Sequence, residues 1–115
     1  MKHGSIPIPS IDISRVPDPL PEELHILDVR DDVEWTRGHI EGARHIPLMD
    51  ISARLDEVPV EQTLVVCRVG GRSARAVAYL QAQGRDVVNL DGGMLDWQAA
   101  GRPMVSESGA DPQVV

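Results

Sequence analysis

The chain has 115 residues, enough for one domain and too few for two. A hydrophobic fraction of 42% fits a globular core, but Phe is absent and aromatics are only 3%, so Val, Ile, Leu, Ala and Met must build it. Eighteen acidic and 11 basic residues give a net charge of −7, which argues against nucleic acid or an anionic membrane as partner.

Residues 1–10 read as a flexible N-terminal arm broken by Pro7 and Pro9, followed by one domain over 11–105. Ile11-Asp12-Ile13 alternates and suits a short first strand. Pro17, Pro19 and Pro21 forbid a regular helix over 16–21, leaving a shortened helix or a turn. Residues 25–29 form a central strand pattern that runs into polar residues. Asp31 and Asp32 suit a helix start, as cap and first-turn acid, for a helix over 32–37 stopped by Gly38. Residues 44–46 suit a short strand ended by Pro47. A helix over 50–56 would place Leu48, Ile51 and Leu55 on one face before Pro59 breaks it.

A strand over 63–67, a helix over 72–83 closed by Gly84, a strand over 86–90 and a helix over 94–100 complete the domain. Residues 106–115 read as a disordered tail. Strands alternating with helices imply a parallel sheet with helices on both faces, and a ligand site beyond the carboxyl ends of the strands. Cys67, Asp28 and Arg30 stand at such ends. Asp28 and Arg30 read as an ion pair supporting the loops there, with Arg30 able to add positive potential.

The stretch from Thr63 to Ala76 carries the chemistry. An apolar, β-branched run ends at Cys67, the only cysteine, and Arg68, Val69, Gly70, Gly71, Arg72 and Ser73 lead directly into a helix. Such a turn converges backbone N–H groups, and the helix start adds its unpaired donors and positive dipole end. The glycine pair lets the backbone curl into an anion-binding nest. A thiol at its base is stabilised as thiolate, below the free value of about 8.5. A cysteine that merely filled a core would need no glycine pair, no two arginines and no helix start after it. The pair is not a nucleotide-binding loop, since no Lys follows the second Gly.

The Cys67-Arg68-Val69-Gly70-Gly71-Arg72-Ser73 segment resembles the active-site loop of the rhodanese family of sulfurtransferases. Leu27-Asp28-Val29-Arg30, Gly38-His39-Ile40 with Gly42-Ala43, and Asp91-Gly92-Gly93 with Trp97 resemble further family segments in the same order, so that the likeness runs from about Ile11 to Pro103. The resemblance implies a rhodanese-like three-layer α/β/α fold with a central parallel sheet of about five strands. It also implies a sulfurtransferase in which Cys67 carries a persulfide and Arg68, Val69, Gly70, Gly71, Arg72 and Ser73 bind the substrate.

The partners expected are a small anionic sulfur donor such as thiosulfate, a thiol or cyanide acceptor, and a sulfur-relay protein. A persulfide carrier with little thiosulfate activity is the alternative. A cysteine phosphatase or arsenate reductase on the same fold needs Cys-x5-Arg, and here the sixth residue after Cys67 is Ser73.

No cofactor is expected. His3, His25, His39 and His45 lack metal-ligand spacing, and His39 is expected to pack within its turn. Trp35 and Trp97 are expected to anchor the core. A lone cysteine fits a reducing compartment, and neither a signal peptide nor a membrane-spanning run is visible, so the location expected is cytoplasmic.

Overall fold

The computed structural model describes residues 7–115. Five strands form one wholly parallel sheet: β1 (Ser10–Asp12), β2 (His25–Asp28), β3 (Arg44–His45), β4 (Thr63–Val66) and β5 (Val87–Asp91), in the order β1-β5-β4-β2-β3. Three helices accompany it: α1 (Asp32–Arg37), α2 (Gly71–Ala82) and α3 (Gly93–Ala99). The expected three-layer α/β/α architecture is therefore the observed one.

Side-chain alternation divides the sheet between two cores. Leu27, Val65, Cys67 and Val87 face α2 with Ala76, Val77 and Leu80. Ile26, Leu64, Val66 and Leu90 face the other way, with Met94 and Trp97 of α3. This is the period-two rule of a strand buried on both faces. From β2 the chain moves to one edge of the sheet, and from β4 towards the other. Right-handed crossovers then put their helices on opposite faces and open a crevice between the carboxyl ends of β2 and β4.

Several elements differ from the sequence reading. Of the arm expected over 1–10, residues 1–6 lie outside the described residues. The rest is anchored: Ile8 packs on the core, the Pro9 carbonyl accepts the Asn89 N–H at 2.8 Å, and Ser10 opens β1. The helix expected over 50–56 is two 3-10 turns, Leu48–Asp50 and Ser52–Glu57, with non-helical backbone at Arg54. The tighter coil brings residues i and i+3 together, and Arg54 pairs with Glu57 through two bonds of 2.8 and 2.9 Å.

The proline segment is a turn that follows a 3-10 turn at Ile13–Arg15. Arg102 reaches across to the carbonyls of Ile13, Val16 and Pro17, giving this irregular backbone the partners that a helix would have supplied. Segment 106–115, expected to be disordered, has a defined course along α1, because Gln113 pairs with the Arg37 carbonyl and Val114 packs on the core.

Trp97 is a core anchor, 1% exposed, with its indole N–H on the Pro103 carbonyl. Trp35 is not. It is half-buried and stacks on the His39 and His45 rings at 3.5 and 4.7 Å. His39 bonds to the Trp35 carbonyl at 2.8 Å, within the turn where it was expected to pack. Among the described residues no helix is long and apolar enough to cross a membrane.

Candidate active site

Cys67 follows the last residue of β4, the central strand, and its side chain is buried. The chain then turns through Gly70, whose φ of 106° is left-handed and favours glycine. A Cβ there would also press on the Gly92 nitrogen at 3.2 Å. This reversal aims the Gly70 N–H at the Cys67 sulfur, 3.1 Å away. One turn into α2, the buried Ser73 hydroxyl donates to the same sulfur at 3.3 Å.

Burial pushes the Cys67 thiol up. The Ser73 hydroxyl, with the N–H groups of Ser73, Gly70 and Val69, outweighs burial and holds it below its ordinary value. Backbone N–H groups and one hydroxyl thus converge on the Cys67 sulfur.

The loop is fixed from behind by β5 and the start of α3, through contacts of which the sequence context gave no sign. At the start of α3 the N–H groups of Met94 and Leu95 donate to the carbonyls of Cys67 and Arg68 at 2.8 and 3.0 Å. The approach requires Gly93, where a Cβ would lie 2.5 Å from the Cys67 carbonyl oxygen. Asn89, buried in β5, donates its amide to the Gly70 carbonyl at 3.3 Å.

The two loop arginines do not flank the sulfur as a free pair. Arg72 is held by Glu34 of α1 through two bonds of 2.7 and 2.9 Å, a fork-to-fork pairing. Glu34 Oε1 also accepts the Asp31 N–H at 3.1 Å. The Arg72 hydrogen bonds, joined by the Asp31 N–H, hold the Glu34 carboxyl below its usual range against the opposing effect of burial. Sequence reasoning missed Glu34. The available signal was its place three residues after the Asp31 cap, the spacing of a capping box.

Arg68 is exposed, and its Nε donates to the Val115 carbonyl at 3.0 Å. Val69 exposes its side chain at the rim, and Gly71 begins α2.

Asp28 and Arg30 lie beside this loop and are wholly buried. Asp28 stands opposite Val66, and Val29 donates to the Val66 carbonyl. The Arg30 guanidinium bonds both Asp28 oxygens and the Gly38 carbonyl, with the shortest contacts at 2.7 Å. The supporting ion pair is therefore as expected. Arg30 Nε and Nη2 are committed to these partners and the guanidinium is buried, while its charge still reaches Glu34 and helps to lower that carboxyl.

A cavity of about 440 Å3 opens at the far end of the sheet, among Ile11, Val16, Leu24, Leu64 and Val88. It lies in the gap beside the proline turn and contains no nucleophile. Chemistry, not cavity size, locates the site.

The chain resembles known proteins over most of its length. The Rhodanese-like domain family matches residues 14–100. The chain is 39% identical over 83 residues to the putative sulfurtransferase YtwF of Bacillus subtilis, covering 71% of this chain and 81% of that protein. It is 40% identical over 76 residues to the thiosulfate sulfurtransferase GlpE of Pseudomonas putida, covering 64% of this chain and 69% of that protein. The crystal structure of a rhodanese-like domain protein from Staphylococcus aureus superposes with a TM-score of 0.73 at 35% identity, over 78% of this chain and 91% of that one.

Proposed function

The chain belongs to the rhodanese-like domain family, and on that premise we propose that it moves a sulfane sulfur from an anionic donor to a thiophilic acceptor through a persulfide on Cys67. The observation that carries this reading is the sulfur at the base of a donor cradle. Gly70 N–H and Ser73 Oγ–H point at it, and its pKa lies below that of an ordinary thiol.

The Cys67 thiolate attacks the outer sulfur of the donor. A bond forms between Cys67 and that sulfur while the donor's own S–S bond breaks, and with thiosulfate the departing pair leaves on sulfite. The persulfide anion inherits the N–H cradle, which stabilises the developing charge as an oxyanion hole does. A second nucleophile, cyanide in an assay or a thiol in the cell, takes the outer sulfur and returns the thiolate. This is covalent catalysis in two displacements, and the cradle that lowers the thiol's pKa favours the thiolate that begins and ends the cycle.

Arg68 is the loop cation available to the donor. Arg72, held by Glu34, fixes the loop's shape. The name of GlpE supports thiosulfate as donor, and a working thiolate suits a reducing compartment such as the cytoplasm.

Cysteine phosphatase chemistry is disfavoured. The sixth residue after Cys67 is Ser73, which has no fork for phosphoryl oxygens, and the Arg72 fork is already committed.

Intact-mass spectrometry after incubation with thiosulfate, without acceptor, tests the central step. One added sulfur atom, released by reductant and lost in Cys67→Ser, is the expected result. No addition from thiosulfate or from glutathione persulfide overturns the reading. Loading by glutathione persulfide alone replaces the thiosulfate enzyme with a persulfide carrier.

A further inference from the structure

Segment 106–115 runs to the rim of the Cys67 loop along a course fixed at successive points. His39 and Val105, just before it, exchange two backbone hydrogen bonds of 2.8 Å. Glu107 N–H then donates to the Thr36 carbonyl at 3.1 Å, and Gln113 N–H to the Arg37 carbonyl at 2.9 Å. Gln113 passes so close to Gly38 that a Cβ there would lie 2.7 Å from its backbone nitrogen and oxygen. Val114 packs on the core that holds Ile40 and Trp97. This seating delivers the Val115 carbonyl oxygen to Arg68 Nε at 3.0 Å. No side-chain carboxylate pairs with Arg68 among the described residues; its partner is this main-chain oxygen of Val115, the last residue described. The oxygen on its guanidinium is an acceptor of the kind that an anionic donor would present.

Resting on the sulfurtransferase reading above, we propose that segment 106–115 is a specificity-determining part of the site: Val115 is an internal competitor for Arg68 that an anionic donor must displace. A neutral reagent makes no demand on Arg68 and is indifferent to the segment. Freeing the guanidinium strengthens capture of an anion by on the order of two- to tenfold, the span of one net hydrogen bond. Chemistry at Cys67 itself is unchanged, so the effect falls on KM and not on kcat.

The test compares Cys67 alkylation by iodoacetate, an anion, with alkylation by neutral iodoacetamide, at low ionic strength where surface charge is least screened. Three chains are used: the full chain, one shortened after Gln113 and one shortened after Val105, each checked by thermal melt. The iodoacetate-to-iodoacetamide rate ratio is expected to rise two- to tenfold on shortening, and the KM for thiosulfate to fall by a similar factor. The rise is expected to vanish in an Arg68→Gln background, which isolates the pairwise coupling.

A Glu107→Gln/Asp111→Asn chain, which removes acidic charge but keeps the segment, is expected to leave the ratio near its original value. An unchanged ratio in the chain shortened after Gln113 overturns the proposal, and so does a rise that persists in Arg68→Gln. Alkylation needs only a reactive thiolate. If thiosulfate fails to load Cys67 while the ratio still responds, the donor assignment has failed and the competitor has not.

Discussion

Two strand-loop-helix turns stand side by side at the carboxyl end of the sheet and use one geometry in opposite ways. In the turn from β2 to α1, the Asp28 carboxylate accepts the Arg30 N–H and is also closed by the Arg30 guanidinium. In the turn from β4 to α2, the Cys67 sulfur likewise accepts an N–H from further along its own loop, but no side-chain cation closes over it. The first is an anion site satisfied from within and sealed. The second holds its anion by N–H groups and a hydroxyl and is open in one sense, that no side-chain cation caps it, although the Cys67 side chain is buried. Position at a strand end therefore does not make a site. What distinguishes the two turns is whether a side-chain cation of the loop closes over the anion.

Replacing the nucleophile gives the largest effect. Cys67→Ser removes the atom that carries the sulfur but nearly keeps the buried volume, so transfer of sulfur to cyanide should disappear while the thermal melt stays close to the original. Residual turnover in a folded variant would mean that the open turn is not where sulfur is held.

The sealed turn should fail in stability instead. Arg30→Met leaves the Asp28 carboxylate buried without its cation, a loss of about 3–5 kcal/mol by denaturant melt. Asp28→Leu with Arg30→Met removes both charges and should recover much of that loss. If the single variant is as stable as the original chain, the pair is not the lock that the comparison makes it.

Glu34→Gln tests the bridge between the two turns, since α1 leaves the sealed turn and Arg72 belongs to the open one. Stability should fall by only about 1 kcal/mol, because the pair is partly exposed. The kcat/KM for thiosulfate should fall on the order of tenfold, as the loop loses its tether.

The sign of the pH dependence follows from Arg72 holding the Glu34 carboxyl below its unfolded value of about 4.3. The pair stabilises the fold above that unfolded value, and the contribution is lost as pH falls through the lower folded one. The stability gap between the original chain and Glu34→Gln should thus be flat from about pH 5 upward and close on acidification below about pH 4. A gap that widens in acid would show that Glu34 acts by some route other than its charge.

How far the sequence disclosed all this depended on sequence distance. The open turn was legible because its parts are contiguous: the apolar run, Cys67, the glycines, Ser73 and the helix start all fall within a dozen residues. Asp28 and Arg30 were legible for the same reason, two residues apart on one strand end. Glu34 was not, because its partner lies 38 residues away and becomes its neighbour only when the chain folds. Asn89 and Gly93 likewise act on the Cys67 loop from a later strand and helix.

The course of segment 106–115 was hidden differently. Small and polar residues give it no periodic pattern, and its seat depends on Gly38 leaving room for the Gln113 backbone. The role of Arg72 was misread for a related reason. Counting arginines near Cys67 gives their sign but not their partners, and Arg72 is paired with a carboxylate from another helix.

The smallest expected effect separates the contributions within the open turn. Ser73 is fully buried, and its hydroxyl donates to the Cys67 sulfur. Burial raises the Cys67 thiol, and the Ser73 hydroxyl is the foremost of the groups that lower it again, ahead of the N–H groups of Ser73, Gly70 and Val69. Ser73→Ala removes the hydroxyl and keeps every N–H. The pH midpoint for alkylation by iodoacetamide should therefore move upward, and the rate near neutral pH should fall on the order of two- to tenfold, the factor that one net hydrogen bond supplies.

Linkage fixes how stability must follow. A thiol depressed in the folded state adds stability that is present above its unfolded value of about 8.5 and is lost as pH falls through the folded value. Ser73→Ala should thus cost more stability at alkaline pH than below the folded value, where the sulfur is protonated in both chains. If the midpoint does not move, the backbone ring alone holds the charge. The open turn would then differ from the sealed one only in lacking a cation, with the first turn of α2 contributing no side chain to the chemistry.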